Sequence, residues 1–293
     1  MSGETATATA EAASGFASPI GLIAGGGALP FAAADAIAAQ GGQAVLFALR
    51  GFCDKARVQN YRHHWISIGQ FGALKKLMRA EGCRDIVFIG NLVRPSLSEI
   101  RLDFGTLLVM PQVFSAFRGG DDHLLTRVGK IFEQHGFRML GIRDVAPNLL
   151  MPEGSLTRKQ PDARVAADIA KGREVLTALA PFDVGQAVVV IDGHVVAVEG
   201  IEGTDAMLAR VEALRESRAL RYEAGRGALV KAVKQGQDLR FDLPTIGPQT
   251  VINARKAGLA GIAIVAGNAI VADAQTMIDD ADRDGLFVVG LPQ

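Results

Sequence analysis

The chain has 293 residues, of which 49% are hydrophobic and 21% charged, a balance that fits a soluble globular protein of one large or two ordinary domains. Its 31 basic and 31 acidic side chains cancel to a formal charge of zero, which excludes a global field drawing the protein to nucleic acid or to an anionic membrane. No run reaches the length of a membrane span, and Cys53 and Cys83 show no metal-ligand spacing, so a reducing cytoplasm is the expected compartment.

Residues 1–18, rich in Ala, Thr, Ser and Gly but lacking a basic start and an apolar run, read as a disordered tail and not as a signal peptide. From there apolar strands alternate with helical patterns. Strands are expected at Ile20–Ala24, Ala44–Leu49, Trp65–Ile68 and Asp85–Ile89, and helices at Leu29–Ala39 and Phe71–Ala80. This βαβ rhythm implies an open, Rossmann-like parallel sheet covered by helices. Phe104–Phe117 is a more apolar stretch broken by Pro111. Gly119-Gly120 then leads into a helix that opens on Asp121-Asp122, where acids match the positive end of the helix dipole. Phe137–Val145 reads as the last strand of an N-terminal domain over residues 19–146, and Pro147–Pro161, with Pro152, Gly154 and Ser155, as a linker.

Residues 162–293 read as a C-terminal mixed α/β domain. A helix over Asp162–Leu179 precedes a hairpin, Ala187–Ile191 and His194–Glu199 about the Asp192-Gly193 turn. A second hairpin is expected from Gly261–Val265 and Ala269–Ala272 about Gly267-Asn268, and each is followed by a helix, Thr204–Leu214 and Ala274–Arg283. A further helix is expected over Gln249–Ala257.

Four places carry residues capable of chemistry. Gly25-Gly26-Gly27, with Ala28 and Leu29, joins a strand to a helix start where backbone amides can approach a phosphate. As a dinucleotide fingerprint it is incomplete, since Pro30 replaces the third glycine and no ribose-binding acid follows the second strand; a tight turn is the plain alternative. Asn91 and Arg94 follow another parallel strand at its ligand-facing end, or simply form a loop. Glu202, Thr204 and Asp205 gather at a helix start, where they could act only as caps. Asp242 follows Arg240 by two positions and precedes the Pro244 turn, with Thr245 next; here too Asp242 or Thr245 could merely cap the following helix. Glu202, Asp205 and Asp242 together could form an oxygen site for Mg²⁺ or Mn²⁺, with Lys231 and Lys234 supplying positive charge.

Taken in order, Gly21–Pro30, Phe88–Pro95, Gly119–Asp122, Asp183–Gln186, Val198–Met207 and Phe241–Gly247 closely resemble the LpxI-type UDP-2,3-diacylglucosamine pyrophosphatases, with motifs spread over nearly the whole chain. The resemblance implies hydrolysis of UDP-2,3-diacylglucosamine to UMP and 2,3-diacylglucosamine 1-phosphate in lipid A synthesis, and a divalent metal. It also implies two domains with the ligand held in a cleft between them, and an essential aspartate that falls on Asp242, with Asp205 as the next acid. The candidate substrate-binding positions are Gly26, Gly27, Ala28, Leu29, Asn91, Arg94, Asp121, Asp122, Gln186, Thr204, Lys231, Arg240 and Thr245. A lipid substrate allows peripheral contact with a membrane.

Two other functions are open to the sequence. One is an NADP-dependent oxidoreductase in which Arg50 binds a 2′-phosphate. The other is a non-enzymatic nucleotide- or lipid-binding regulator whose acids serve only as caps.

Overall fold

The structure, a computed structural model, describes residues 19–92, 101–116, 121–182, 184–233, 238–241 and 243–293, with side chains left undescribed at 112–116 and 121–124. The expected tail over 1–18 lies outside these residues. The chain divides into two compact units, one of residues 1–149 with 238–242 and one of residues 150–237 with 243–293.

In the first unit the elements are β1 (Ile20–Ala24), α1 (Leu29–Ala39), β2 (Ala44–Leu49), α2 (Lys55–Val58), β3 (His63–Ile66), α3 (Phe71–Ala80), β4 (Asp85–Ile89), α4 (Phe104–Ala116), α5 (Asp121–Gln134), β5 (Arg138–Met139) and α6 (Ile142–Val145). The five strands are parallel in the order β3-β2-β1-β4-β5, the arrangement of a doubly wound fold. Alternation along the strands sends Ile23, Val45, Phe47 and Ile86 into one core with Leu74 and Met78 of α3 and Phe132 of α5, as the period-two geometry of a strand requires. Leu22 and Leu46, at the alternate positions, are fully buried, as are Phe31 and Ile37 of α1.

Two boundaries differ from the expectation. β3 begins at His63 and stops at Ile66, because the Ser67 N–H turns to Gln70 Oε1 at 2.9 Å and leaves the ladder. The strand expected over Phe137–Val145 is only two residues long; at Gly141 the chain enters α6, whose start is fixed by Asp144 Oδ2 accepting from the Gly141 N–H at 2.8 Å.

In the second unit the elements are β6 (Gly154–Ser155), α7 (Ala163–Leu179), β7 (Ala187–Ile191), β8 (His194–Val198), α8 (Gly203–Glu216), β9 (Ala228–Lys231), β10 (Thr245–Ile246), α9 (Pro248–Lys256), β11 (Gly261–Val265), β12 (Ile270–Val271), α10 (Ala274–Asp284) and β13 (Phe287–Leu291). A six-stranded mixed sheet runs β6-β13-β11-β9-β7-β8, and β10 pairs with β12 separately. Alternate residues serve two cores. Val188, Val190, Val230 and Ala263 meet Val165, Ile169 and Leu176 of α7, whereas Val189, Leu229, Ile262 and Val288 meet Met207, Val251 and Met277 of α8, α9 and α10.

The β7–β8 hairpin forms as expected, with Asp192 and Gly193 both at positive φ, 48° and 77°. The second expected hairpin does not. β11 is paired on both sides, by β9 and β13, so no free edge remains for the strand after Gly267, and β12 pairs in parallel with β10 instead. Nor is Pro147–Pro161 a free linker. Met151 is buried, Gly154 and Ser155 pair with β13, and the Thr157 hydroxyl accepts from the Val288 N–H at 2.9 Å, which builds residues 150–157 into the second unit. Among the described residues no helix is long and apolar enough to cross a membrane.

Candidate functional site

In the first unit β1 lies between β2 and β4, so strand order reverses between β1 and β4. The crevice at the carboxyl ends of such strands is where open α/β sheets take ligands. Gly25–Leu29 and Gly90–Asn91 occupy it. Gly26 and Asn91 exchange backbone hydrogen bonds at 2.8 and 2.9 Å, and the Gly25 N–H donates to the Ile89 carbonyl at 2.8 Å. A Cβ on Gly25 would stand 2.6 Å from the Asn91 carbonyl oxygen, and one on Gly90, at φ +99°, 2.7 Å from that of Gly26. The glycines are therefore needed first to lock these two loops together. Gly27, at φ +87°, and Ala28 remain exposed in front of α1, which begins without a side-chain cap. Arg50, the NADP candidate, lies over the Trp65 ring, 5.8 Å from its centroid.

The second unit carries a pocket of about 260 Å³ lined by Gly185, Gln186, Glu199, Gly200, Lys231 and Pro244. It sits where β9 ends, β7 begins and β8 has just ended, so three chain segments converge at one end of the sheet. Lys231 and Glu199 are 6% and 9% exposed. Charged groups so buried need partners, and a connected set supplies them. Lys231 Nζ donates to Thr204 Oγ1 at 2.7 Å, Thr204 Oγ1 donates to Glu199 Oε1 at 2.7 Å, and Glu199 Oε2 accepts from the Gln186 backbone N–H at 2.8 Å. Backbone bonds hold the same corner: Gly185 N–H to Glu199 carbonyl at 3.0 Å, Glu199 N–H to Ala187 carbonyl at 2.9 Å, and Ala232 N–H to Gln186 carbonyl at 3.0 Å. A Cβ on Gly185 would lie 2.6 Å from both Cβ and Cγ of Glu199, so only glycine fits there.

Residues 19–149 match the family described as LpxI N-terminal domain, and residues 152–289 match LpxI C-terminal domain. The chain is also 43% identical over 272 residues to a protein of Caulobacter vibrioides named UDP-2,3-diacylglucosamine pyrophosphatase LpxI, covering 93% of this chain and 97% of that one. The chain belongs to the LpxI family. Within this LpxI-family chain, Gln186, Thr204 and Lys231 of the expected site residues are brought together at the pocket. Gly26, Gly27, Ala28, Leu29 and Asn91 are brought together at the crevice of the first unit.

Thr204 is not the cap of α8; it lies in the first turn, and its hydroxyl serves Glu199 and Lys231. Thr245 lies in β10 and is exposed, and α9 is capped at Gly247, whose N–H donates to Thr250 Oγ1 at 3.3 Å. Arg240 belongs to the first unit, where it pairs with Asp238 and Glu133, each at 2.8 Å. That guanidinium holds the Asp238 carboxyl below its ordinary value, chiefly through its hydrogen bonds. Asp121 and Asp122 open α5 as expected, with their side chains outside the described residues, as are Arg94, Lys234 and Asp242 altogether.

Of the expected oxygen ligands, Asp242 lies outside the described residues, and Glu202 and Asp205 each have another partner. Glu202 pairs with Arg210 at 2.9 Å, and its carboxyl is held below its ordinary value by its own backbone N–H and by that arginine. Asp205 accepts from Asn253 Nδ2 at 2.9 Å. No group of three or more His, Cys, Asp or Glu side chains among the described residues is placed to hold a metal ion. Glu199 is the residue that sequence reasoning passed over in favour of Glu202. A charged residue at the exit of an apolar strand, directly before a glycine, is the local signal that marks it.

Proposed function

We propose that this chain hydrolyses the pyrophosphate of UDP-2,3-diacylglucosamine to give UMP and 2,3-diacylglucosamine 1-phosphate, a step of lipid A synthesis. The observation that carries the reading is 43% identity, over 93% of the chain, to a protein named for that pyrophosphatase activity. A pyrophosphate diester resists attack because its anionic oxygens repel the nucleophile, so catalysis rests on neutralising that charge and on positioning water in line. Lys231, whose buried ammonium lines the pocket, supplies positive charge without a covalent step. Asp242 is proposed to orient the water, which attacks the phosphorus bearing the sugar, so that UMP leaves. Glu202 and Asp205 are engaged by Arg210 and Asn253, and dependence on Mg²⁺ or Mn²⁺ is read from the assay below.

The acyl chains are proposed to meet α4. Phe104 and Leu108 of this helix are 76% and 68% exposed, and Leu107 beside them is also exposed. Each methylene removed from water contributes about 0.8 kcal/mol, so contact with part of two acyl chains is a substantial share of binding. The same face suits peripheral contact with a membrane.

The test is release of UMP from the diacyl substrate by the purified protein, with and without a chelator and with Mg²⁺ or Mn²⁺ restored. Release supports the hydrolase. Its absence, together with retained binding of the substrate, would instead favour a binding regulator, and quantitative binding of NADPH would favour the oxidoreductase.

A further inference from the structure

We propose that Glu199 is a positioning residue for the reaction, holding the Lys231 ammonium at the pocket through the Thr204 hydroxyl. The inference rests on the activity proposed above and adds to it a residue that touches neither pyrophosphate nor water.

The direction of each hydrogen bond follows from the number of protons available. An ammonium can only donate, and an ionised carboxylate can only accept. Thr204 has one hydroxyl proton. With Lys231 donating to Thr204 Oγ1 and Glu199 Oε1 lying 2.7 Å from the same oxygen, that proton goes to Glu199. The second Glu199 oxygen takes the Gln186 N–H. The carboxylate thus orders the segments before β7 and at the end of β9 at once, which lie side by side because β7 and β9 run antiparallel.

Thr204 stands between the two side chains, so that Glu199 acts on the direction of the ammonium through the hydroxyl. Gly185 allows the approach, since any side chain there would displace the Glu199 backbone and its Cβ.

The substitution Glu199→Gln tests this at constant shape. It offers one acceptor oxygen to two donors, the Gln186 N–H and the Thr204 O–H, so its amide group must oppose one of them or reverse the hydroxyl against Lys231. Thr204→Val removes the hydroxyl at nearly constant volume, and Thr204→Ser keeps it. With the full-length protein, Glu199→Gln and Thr204→Val should each lower kcat/KM for UMP release by about tenfold or more in protein that circular dichroism shows to be folded. Thr204→Ser should recover most of what Thr204→Val loses, and the Glu199→Gln/Thr204→Val double variant should be no worse than the worse single one, as members of one unit are non-additive.

The second readout is the Lys231 side-chain ammonium signal in ¹H–¹⁵N spectra of ¹⁵N-lysine protein, assigned by its loss in Lys231→Arg. It should be protected from exchange in wild type and Thr204→Ser and lost in the other two variants. The proposal is overturned if Glu199→Gln keeps near-wild-type turnover, if Thr204→Ser is as impaired as Thr204→Val, or if the ammonium signal persists in both Glu199→Gln and Thr204→Val. Should Glu199→Gln not fold, the Thr204 pair decides. Should the wild type release no UMP, the activity reading fails, and the ammonium spectra still decide whether the relay exists.

Discussion

The ring of Phe241 fills the space that a side chain at position 129 would need. An ideal Cβ on Gly129 would overlap the ring, standing 2.9 Å from Cε1 and closer still to Cζ. Phe241 also lies 5.9 Å, centroid to centroid, from Phe88, and Arg240 beside it pairs with Glu133 of α5. Residues 238–241 are thereby pinned to the first unit, immediately before Asp242.

Gly129→Ala should consequently behave against the usual rule. In an ordinary helix interior, replacing glycine by alanine stabilises by about 1 kcal/mol. Here the added methyl must move a half-buried aromatic ring that packs against the core, and overpacking costs about 1–3 kcal/mol. The expected outcome is a lower melting temperature together with lower kcat. A melting temperature above wild type would show that Phe241 moves aside freely.

Asp242→Ala should leave the protein folded and able to bind substrate, because it removes a polar group without adding bulk. The loss in kcat should exceed about tenfold, or about 1.4 kcal/mol of barrier. Steady-state turnover with circular dichroism as the folding control checks this, and a smaller loss would remove Asp242 from an essential role.

Leu108→Glu places a charge on the exposed face of α4. Since Leu108 is already 68% exposed, the melting temperature should shift little, as for most surface substitutions, which stay within about 0.5 kcal/mol. Hydrolysis of the diacyl substrate should fall well below wild type, with the deficit in KM. An equal deficit, relative to wild type, on long-chain and deacylated substrates would separate α4 from the lipid.

Asp103 links stability to pH. Its burial disfavours the charge, but N–H groups of Ala73, Thr106 and Gly72 and the Thr106 hydroxyl outweigh that and hold its carboxyl below the ordinary value. A depressed folded value means that its stabilisation is complete above the unfolded carboxylate value of about 4 and is lost as pH falls through the folded one. Asp103→Asn should lower stability at neutral pH, since an amide accepts at one oxygen where the carboxylate accepts at two. In thermal melts the gap between wild type and variant should close as the solution is acidified; a gap independent of pH would assign the loss to packing.

Much of the fold is legible locally. β1, α1, β2, α3 and β4 have the bounds expected from apolar periodicity, and the Asp192-Gly193 turn forms because both positions accept positive φ, which few other pairs do. These features depend on neighbours within a few residues. The family motifs are legible for the same reason, since each is a short contiguous string.

Other features rest on partners far away in the chain. Gly267-Asn268 has the composition of a hairpin turn, yet no hairpin forms, because β9 and β13 already occupy both edges of β11. Glu199 and Glu202 are the same residue type, three positions apart. Only the distance to Thr204, Lys231 and the Gln186 N–H makes one the buried centre of a pocket and the other an exposed partner of Arg210. Residues 238–241 follow β9 in sequence but pack on the first unit, since Phe241 finds its apolar surroundings at Phe88 and Gly129. Burial free energy is collected from whatever surfaces meet in space, and a linear pattern does not state which surfaces those are.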